Sequence, residues 1–239
     1  MITVLVILGG LGYQVIMEIF VWLRDRIQRR RKRQVFSLNF KIATSTTVAL
    51  LILGTVALFA AEFNNPPTLG GVSVGSKLLL AWFQSVVTRT AGFNTIDFGA
   101  MENASLFIVI AFMFIGANPG STGGGVKTTT IRILLACTRM VLQGKEEVLL
   151  YQRQIPASRV LKAIGVVVGS GLVVVIVTML VSLSNPEMSF IQLLFESVSA
   201  FATVGLSTGI TAELSDFGKY VIIATMYLGL LDRLPDPGG

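Results

Sequence analysis

Two short segments carry the residue types suited to holding a bare cation: Thr90-Ala91-Gly92-Phe93 and Thr203-Val204-Gly205-Leu206. A dehydrated cation needs a shell of oxygens, and backbone carbonyls aimed into a narrow path can replace its water. Aiming them demands backbone angles that glycine tolerates, while a neighbouring threonine adds a hydroxyl oxygen with little bulk. One such segment alone reads as an ordinary turn. Two copies in matched surroundings read as selectivity-filter segments. Phe83-Gln84-Ser85-Val86 precedes the first and Phe195-Glu196-Ser197-Val198 the second, with the first spacing one residue shorter. Gly92 to Gly116 and Gly205 to Gly229 each span 24 positions, and Phe112 to Gly116 matches Thr225 to Gly229.

Arg89 and Glu196 are the ionisable residues beside these segments. They are expected to support the filter through a salt bridge or hydrogen bonds, or to serve as the coupling charge of a carrier. The stretch from Gly116 to Gly125 nearly fits a phosphate-binding loop, but Val126 intrudes before Lys127 and the loop follows an apolar span rather than a strand. A helix break is the better reading, with Pro119 removing a donor and Gly116, Gly120, Gly123, Gly124 and Gly125 loosening the turn. Gly165 and Gly169, four residues apart, are expected to permit close helix packing. With no histidine and one cysteine, Cys137, the chain has no Cys-His or Ser-His catalysis, zinc site or intrachain disulfide to offer. It is not expected to be an enzyme or to hold a cofactor or resident metal.

The elements that must position these segments are membrane elements. Hydrophobic residues make up 53% of 239 and charged residues 13%, more apolar than one soluble core requires. Ile2 to Leu23, Phe40 to Ala61 and Val160 to Leu183 are each long enough to span, given the roughly 20 residues that cross about 30 Å of hydrocarbon. Ala104 to Gly116 and Tyr220 to Leu231 are apolar but short, which fits broken helices. Ser76 to Val87 and Phe190 to Ala200 are predicted re-entrant pore helices, whose C-terminal dipoles favour a cation at the pore centre. The predicted fold class is all-α integral membrane, in repeated span, pore-loop, span units with about five transmembrane segments.

Charge placement orients this topology. Arg24, Arg26, Arg29 to Arg33 and Lys41 fall in the first connection, and Lys127, Arg132, Arg139, Lys145, Arg153, Arg159 and Lys162 in the third, both predicted cytoplasmic. The net charge of +6 therefore reads as topology and contact with membrane lipid, not as nucleic-acid binding.

Three long motifs give the chain a resemblance. Thr88 to Phe93, Gly116 to Lys127, and Ser199 to Thr211 are similar to those of the Trk/Ktr/HKT superfamily of potassium-translocating subunits. There, four span-pore-span units surround one pore and each contributes a filter glycine. The resemblance implies that Gly92 and Gly205 belong to units two and three. It also implies K+ as the transported ion, possible Na+ dependence, a homodimer, and docking on a cytosolic nucleotide-binding regulatory subunit. The division expected is 1–39 as the end of a first unit with a basic loop, 40–153 as a second, 154–229 as a third, and 230–239 as an aberrant tail. In that tail the family's R-x-G-P-L-T-like gate segment is replaced by Leu230 to Gly239, which suggests a shifted reading frame or a truncated product. Two alternatives stay open: a carrier of a small solute built on broken helices, and a chain without transport activity.

Overall fold

The computed structural model describes residues 1–28, 36–145, 147–151 and 153–231. Arg29 to Arg33 and the tail beyond 231, both singled out above, lie outside these residues. The described helices are α1 (Ile2–Leu11), α2 (Tyr13–Ile27), α3 (Leu38–Glu62), α4 (Val74–Val87), α5 (Asn103–Phe114), α6 (Thr128–Leu142), α7 (Ala157–Ser184), α8 (Phe190–Phe201) and α9 (Asp216–Leu231). Between α6 and α7 a small antiparallel hairpin pairs β1 (Leu149–Leu150) with β2 (Arg153–Gln154).

Helices α3 and α7, of 25 and 28 residues, are long and apolar enough to cross a membrane. They extend the predicted spans by two or three residues at the start and by one at the end. The Ser37 hydroxyl accepts from the Phe40 N–H at 3.0 Å and so starts α3 as an N-cap. Ser37 also donates from its backbone N–H to the Glu18 carboxylate at 3.0 Å, which fixes α2 against the start of α3.

The predicted single span from Ile2 to Leu23 is two helices bent by 107°. Gly12, at φ 83°, makes the elbow, a left-handed angle that side chains resist. A Cβ there would lie 2.5 Å from the Pro119 carbonyl oxygen, because the glycine-rich segment is wedged into the bend. The Tyr13 N–H donates to the Gly120 carbonyl at 3.1 Å across this contact. Apolar residues and glycines lead up to the elbow and resume beyond Gln14, so hydropathy gives little sign of it.

Helices α4 and α8, with 14 and 12 residues, are too short to span and form the predicted pore helices. The first repeat runs α3, α4, α5, α6 and the second α7, α8, α9. Helix α6 was not anticipated in the sequence, since basic residues interrupt its apolar face. The main core lies among α3, α4, α5 and α8, where Leu58, Val109, Met113, Phe195 and Phe201 pack together. At Gly54 a Cβ would collide with the Ser85 side chain, and the Ser85 hydroxyl donates to the Leu51 carbonyl at 2.9 Å, so α4 lies tight against α3. Gly165 and Gly169, by contrast, have no atom within contact of an added Cβ, so neither serves close packing among the described residues.

Buried polar groups tie the helix ends together. Glu62, at the end of α3, accepts from the Glu102 N–H at 3.1 Å at the start of α5. Asn185, at the end of α7, accepts from the Ser215 N–H at 2.7 Å at the start of α9. At the opposite end, Ile42 of α3 and Val160 of α7 share a core cluster with the hairpin residues Val148 and Leu150. Both long helices therefore begin at one end, the end that carries Lys41, Arg153, Arg159 and Lys162.

Candidate functional site: two filter segments and a glycine-rich break

Each filter segment leaves directly from the C-terminus of a pore helix. The N–H groups of Thr90 and Ala91 donate to the Val87 carbonyl at 3.3 and 3.1 Å. Those of Thr203 and Val204 donate to Ala200 and Ser199 at 3.1 and 3.0 Å. The negative ends of both helix dipoles thus lie at the filters, a field that favours a cation.

The two segments meet at their glycines. A Cβ on Gly92 would stand 2.6 Å from the Gly205 carbonyl oxygen and 3.1 Å from that of Val204. Unusual backbone angles were expected to require both glycines, and the structure separates the two cases. Gly205 has φ 84°, whereas Gly92 has no positive φ and is required by the closeness of the opposing carbonyls. Thr203 also adopts a left-handed φ of 53°, a strained angle for a β-branched residue.

The side chains after the threonines diverge. Val204 and Leu206 are buried in the main core, and the Ser199 hydroxyl donates to the Leu206 carbonyl at 2.6 Å. Phe93 is 58% exposed and, with Thr90 and Ala91, lines a cavity of about 330 Å³ against Leu5 and Val6 of α1.

Matched side chains hold the strand that follows each filter. Glu196 accepts from the Thr208 N–H at 3.2 Å, from the Thr211 hydroxyl at 3.0 Å, and from the Ser207 hydroxyl. With its carbonyl oxygen turned toward the loop, Gln84 accepts from the N–H groups of Thr95 at 3.3 Å and Ile96 at 3.1 Å. Arg89 forms no ion pair with Glu196. Its guanidinium is buried, reaches the Gly116 carbonyl at 3.5 Å, and leaves Nε without a hydrogen-bond partner among the described residues.

The segment from Gly116 to Gly125 separates α5 from α6 and touches three parts of the site. Its neck closes where Gly116 donates to Val126 at 3.0 Å and Val126 to Phe114 at 3.1 Å. A Cβ on Gly116 would run into the Gly124 carbonyl, and Gly120 and Gly125 both have φ 71°. Pro119 fills the α1–α2 elbow. Asn118, fully buried, donates to the Gly10 carbonyl at 3.0 Å and to the Thr47 hydroxyl at 3.2 Å, and accepts from the Thr128 hydroxyl. A Cβ on Gly123 would lie 2.7 Å from the Thr90 methyl, and the Gly124 N–H donates to the Thr203 hydroxyl at 3.1 Å. The Lys127 ammonium donates to the Gly123 carbonyl at 2.8 Å, within the segment itself.

Gln84, Ser199 and Asn118 were not picked out as site residues from sequence. The repeat that aligns Gln84 with Glu196 held the signal for the first. No spacing rule points to Asn118, whose partners Gly10 and Thr47 are remote in the chain.

Comparison with known proteins bears on the family and the fold. The chain is 36% identical over 233 residues to the Ktr system potassium uptake protein B of Bacillus subtilis (strain 168), covering 98% of this chain and 50% of that protein. It is 38% identical over 230 residues to the protein of the same name from Vibrio alginolyticus, covering 96% and 49%. The crystal structure of the potassium transporter TrkH from Vibrio parahaemolyticus shares the fold, with a TM-score of 0.71 at 19% identity over 97% of this chain and 49% of that one. The chain thus spans about half the length of the curated relatives it matches. The sequence pattern described as TrkH, cation transport protein, matches residues 1–236. With a match across almost its whole length, this chain belongs to the TrkH cation transport protein family.

Proposed function

We propose that the chain forms part of a potassium uptake pathway in the plasma membrane, where members of this family are multi-pass proteins. Oxygens of Thr90 to Phe93 and Thr203 to Leu206 would take the place of water around a dehydrated K+. The observation that carries this reading is the contact between Gly92 and the Gly205 carbonyl, which brings two filter segments with carbonyl oxygens to one place. Two relatives are named potassium uptake proteins, which supports the choice of ion. Arg89 and Glu196 act as filter supports in this reading, and Gly116 to Gly125 as the helix break beside it. The proposed activity is transport rather than enzymatic turnover, with possible Na+ dependence left to flux measurements. A homodimer docked on a cytosolic nucleotide-binding regulatory subunit is the assembly we propose, and the basic residues at the α3 and α7 starts suit that partner.

The test is rubidium uptake in potassium-auxotrophic cells by a chimera in which this chain replaces the matching half of the Bacillus subtilis protein. Uptake that Gly92→Ser abolishes, at equal membrane abundance, supports the reading. Uptake unchanged by Gly92→Ser would overturn it.

A further inference from the structure

Outside the filters, the structure holds a cavity of about 360 Å³ between the second half of α6 and the β1–β2 hairpin. Arg132, Ala136, Arg139, Met140 and Gln143 recur at helical spacing and form one wall, while Leu149 and Leu150 form the other. Lys145 completes the rim, and Glu147 is the carboxylate among the described lining residues. Among the described lining residues three cations face one carboxylate, and none of the three forms an ion pair with another described residue. Like charges brought together without a partner repel, so the site favours an anion.

The surroundings of the cavity say which anion. Leu135 is 58% and Leu149 55% exposed beside the basic rim, an apolar border that a free phosphate does not need. Helix α6 packs against the spanning helices α3 and α7 and begins next to the segment that touches Thr203. Rising about 1.5 Å per residue, it puts Arg139 roughly 16 Å from its start, near the half-thickness of a ~30 Å hydrocarbon core. With α6 starting near mid-depth and running along the membrane normal, Arg139 and Lys145 reach headgroup level, and the long Arg132 side chain, about two turns nearer the start, must snorkel to join them.

We propose that this cavity is a binding site for an anionic phospholipid. Arg132, Arg139 and Lys145 hold the phosphate and its neighbouring oxygens, and Leu135 and Leu149 flank the glycerol and upper acyl carbons.

Native mass spectrometry of the detergent-solubilised chain tests this, with dioleoyl phosphatidylglycerol, dioleoyl phosphatidylcholine and inorganic phosphate as probes. The expected result is about tenfold greater retention of phosphatidylglycerol than of phosphatidylcholine. That preference should be lost in Arg132→Gln/Arg139→Gln/Lys145→Gln and kept in Arg153→Gln/Arg159→Gln. A second variant, Leu135→Trp, fills the cavity while keeping every charge, so it reads the site even where the triple variant fails to fold. Retained preference in Leu135→Trp would reduce the effect to diffuse surface charge and overturn the proposal. Displacement of the lipid by millimolar phosphate would also overturn it, by making the ligand a soluble anion.

Discussion

The Gly124 N–H donates to the Thr203 hydroxyl at 3.1 Å, so the helix break of one repeat is fastened to the filter of the next. Thr203→Val keeps the shape and removes the acceptor, leaving a backbone donor without its partner, at a cost of about 1–3 kcal/mol. Rubidium uptake by the chimera is expected to fall at least about tenfold, as ~1.4 kcal/mol corresponds to a factor of ten. Gly124→Ala should be as harmful, because its Cβ would lie 2.6 Å from the same hydroxyl and 2.8 Å from the Ala202 carbonyl. Uptake at the parental rate in both variants would mean that the fastening has no functional weight.

The two filter glycines should fail in different ways. Gly92→Ala forces a methyl group to 2.6 Å from the Gly205 carbonyl oxygen and must push the segments apart. Gly205→Ala meets its nearest atom at 3.6 Å, so its penalty comes from φ 84° alone, about 1–2 kcal/mol. Uptake should therefore be abolished by the first and reduced by the second. Gly205→Asn, which tolerates left-handed angles better, should recover part of the loss. Equal loss in Gly205→Asn and Gly205→Ala would argue against backbone strain as the cause.

Asn118 uses its amide as a donor on one side and an acceptor on the other. Asn118→Asp sets a carboxylate oxygen against the Gly10 carbonyl in a fully buried place. A loss of about 2–4 kcal/mol is expected, read as a lower unfolding midpoint in detergent. An unchanged midpoint would show that this junction bears little of the stability.

Much of this arrangement was legible beforehand, because its main signals are local. The α3 and α7 spans and the pore helices α4 and α8 are apolar runs whose lengths separate spanning from re-entrant segments. The repeat aligned Gly92 with Gly205 and Gln84 with Glu196. What escaped notice depends on contacts between distant parts of the chain. The elbow at Gly12 exists because Pro119 fills it, and Asn118 matters because Gly10 and Thr47 surround it. Helix α6 escaped because Arg132 and Arg139 interrupt its apolar pattern.

Arg89 gives a prediction of opposite sign. Among the described residues its buried guanidinium has one hydrogen bond, at 3.5 Å, and a bare Nε, so its charge is poorly compensated. Replacing such a group with an apolar side chain of similar volume is often stabilising, by about 1–4 kcal/mol. Arg89→Met is expected to raise the unfolding midpoint and to alter rubidium flux, since it removes a positive charge next to the first filter. A lowered midpoint would mean that the guanidinium is held by a group the hydrogen bonds above do not include.

Gln84 reaches the N–H of Ile96, and Glu196 reaches that of Thr208, so the two brackets enclose the same number of residues. Within them the glycine is displaced by one position, Gly92 standing nearer to Gln84 than Gly205 does to Glu196. Each bracket works as a frame of fixed length in which the filter can be slid like the scale of a vernier. A residue inserted ahead of Gly92 and another deleted behind it leave that frame intact, whereas either change alone breaks it. Such paired shifts are a route by which the two repeats can drift apart in sequence while their anchors stay in register.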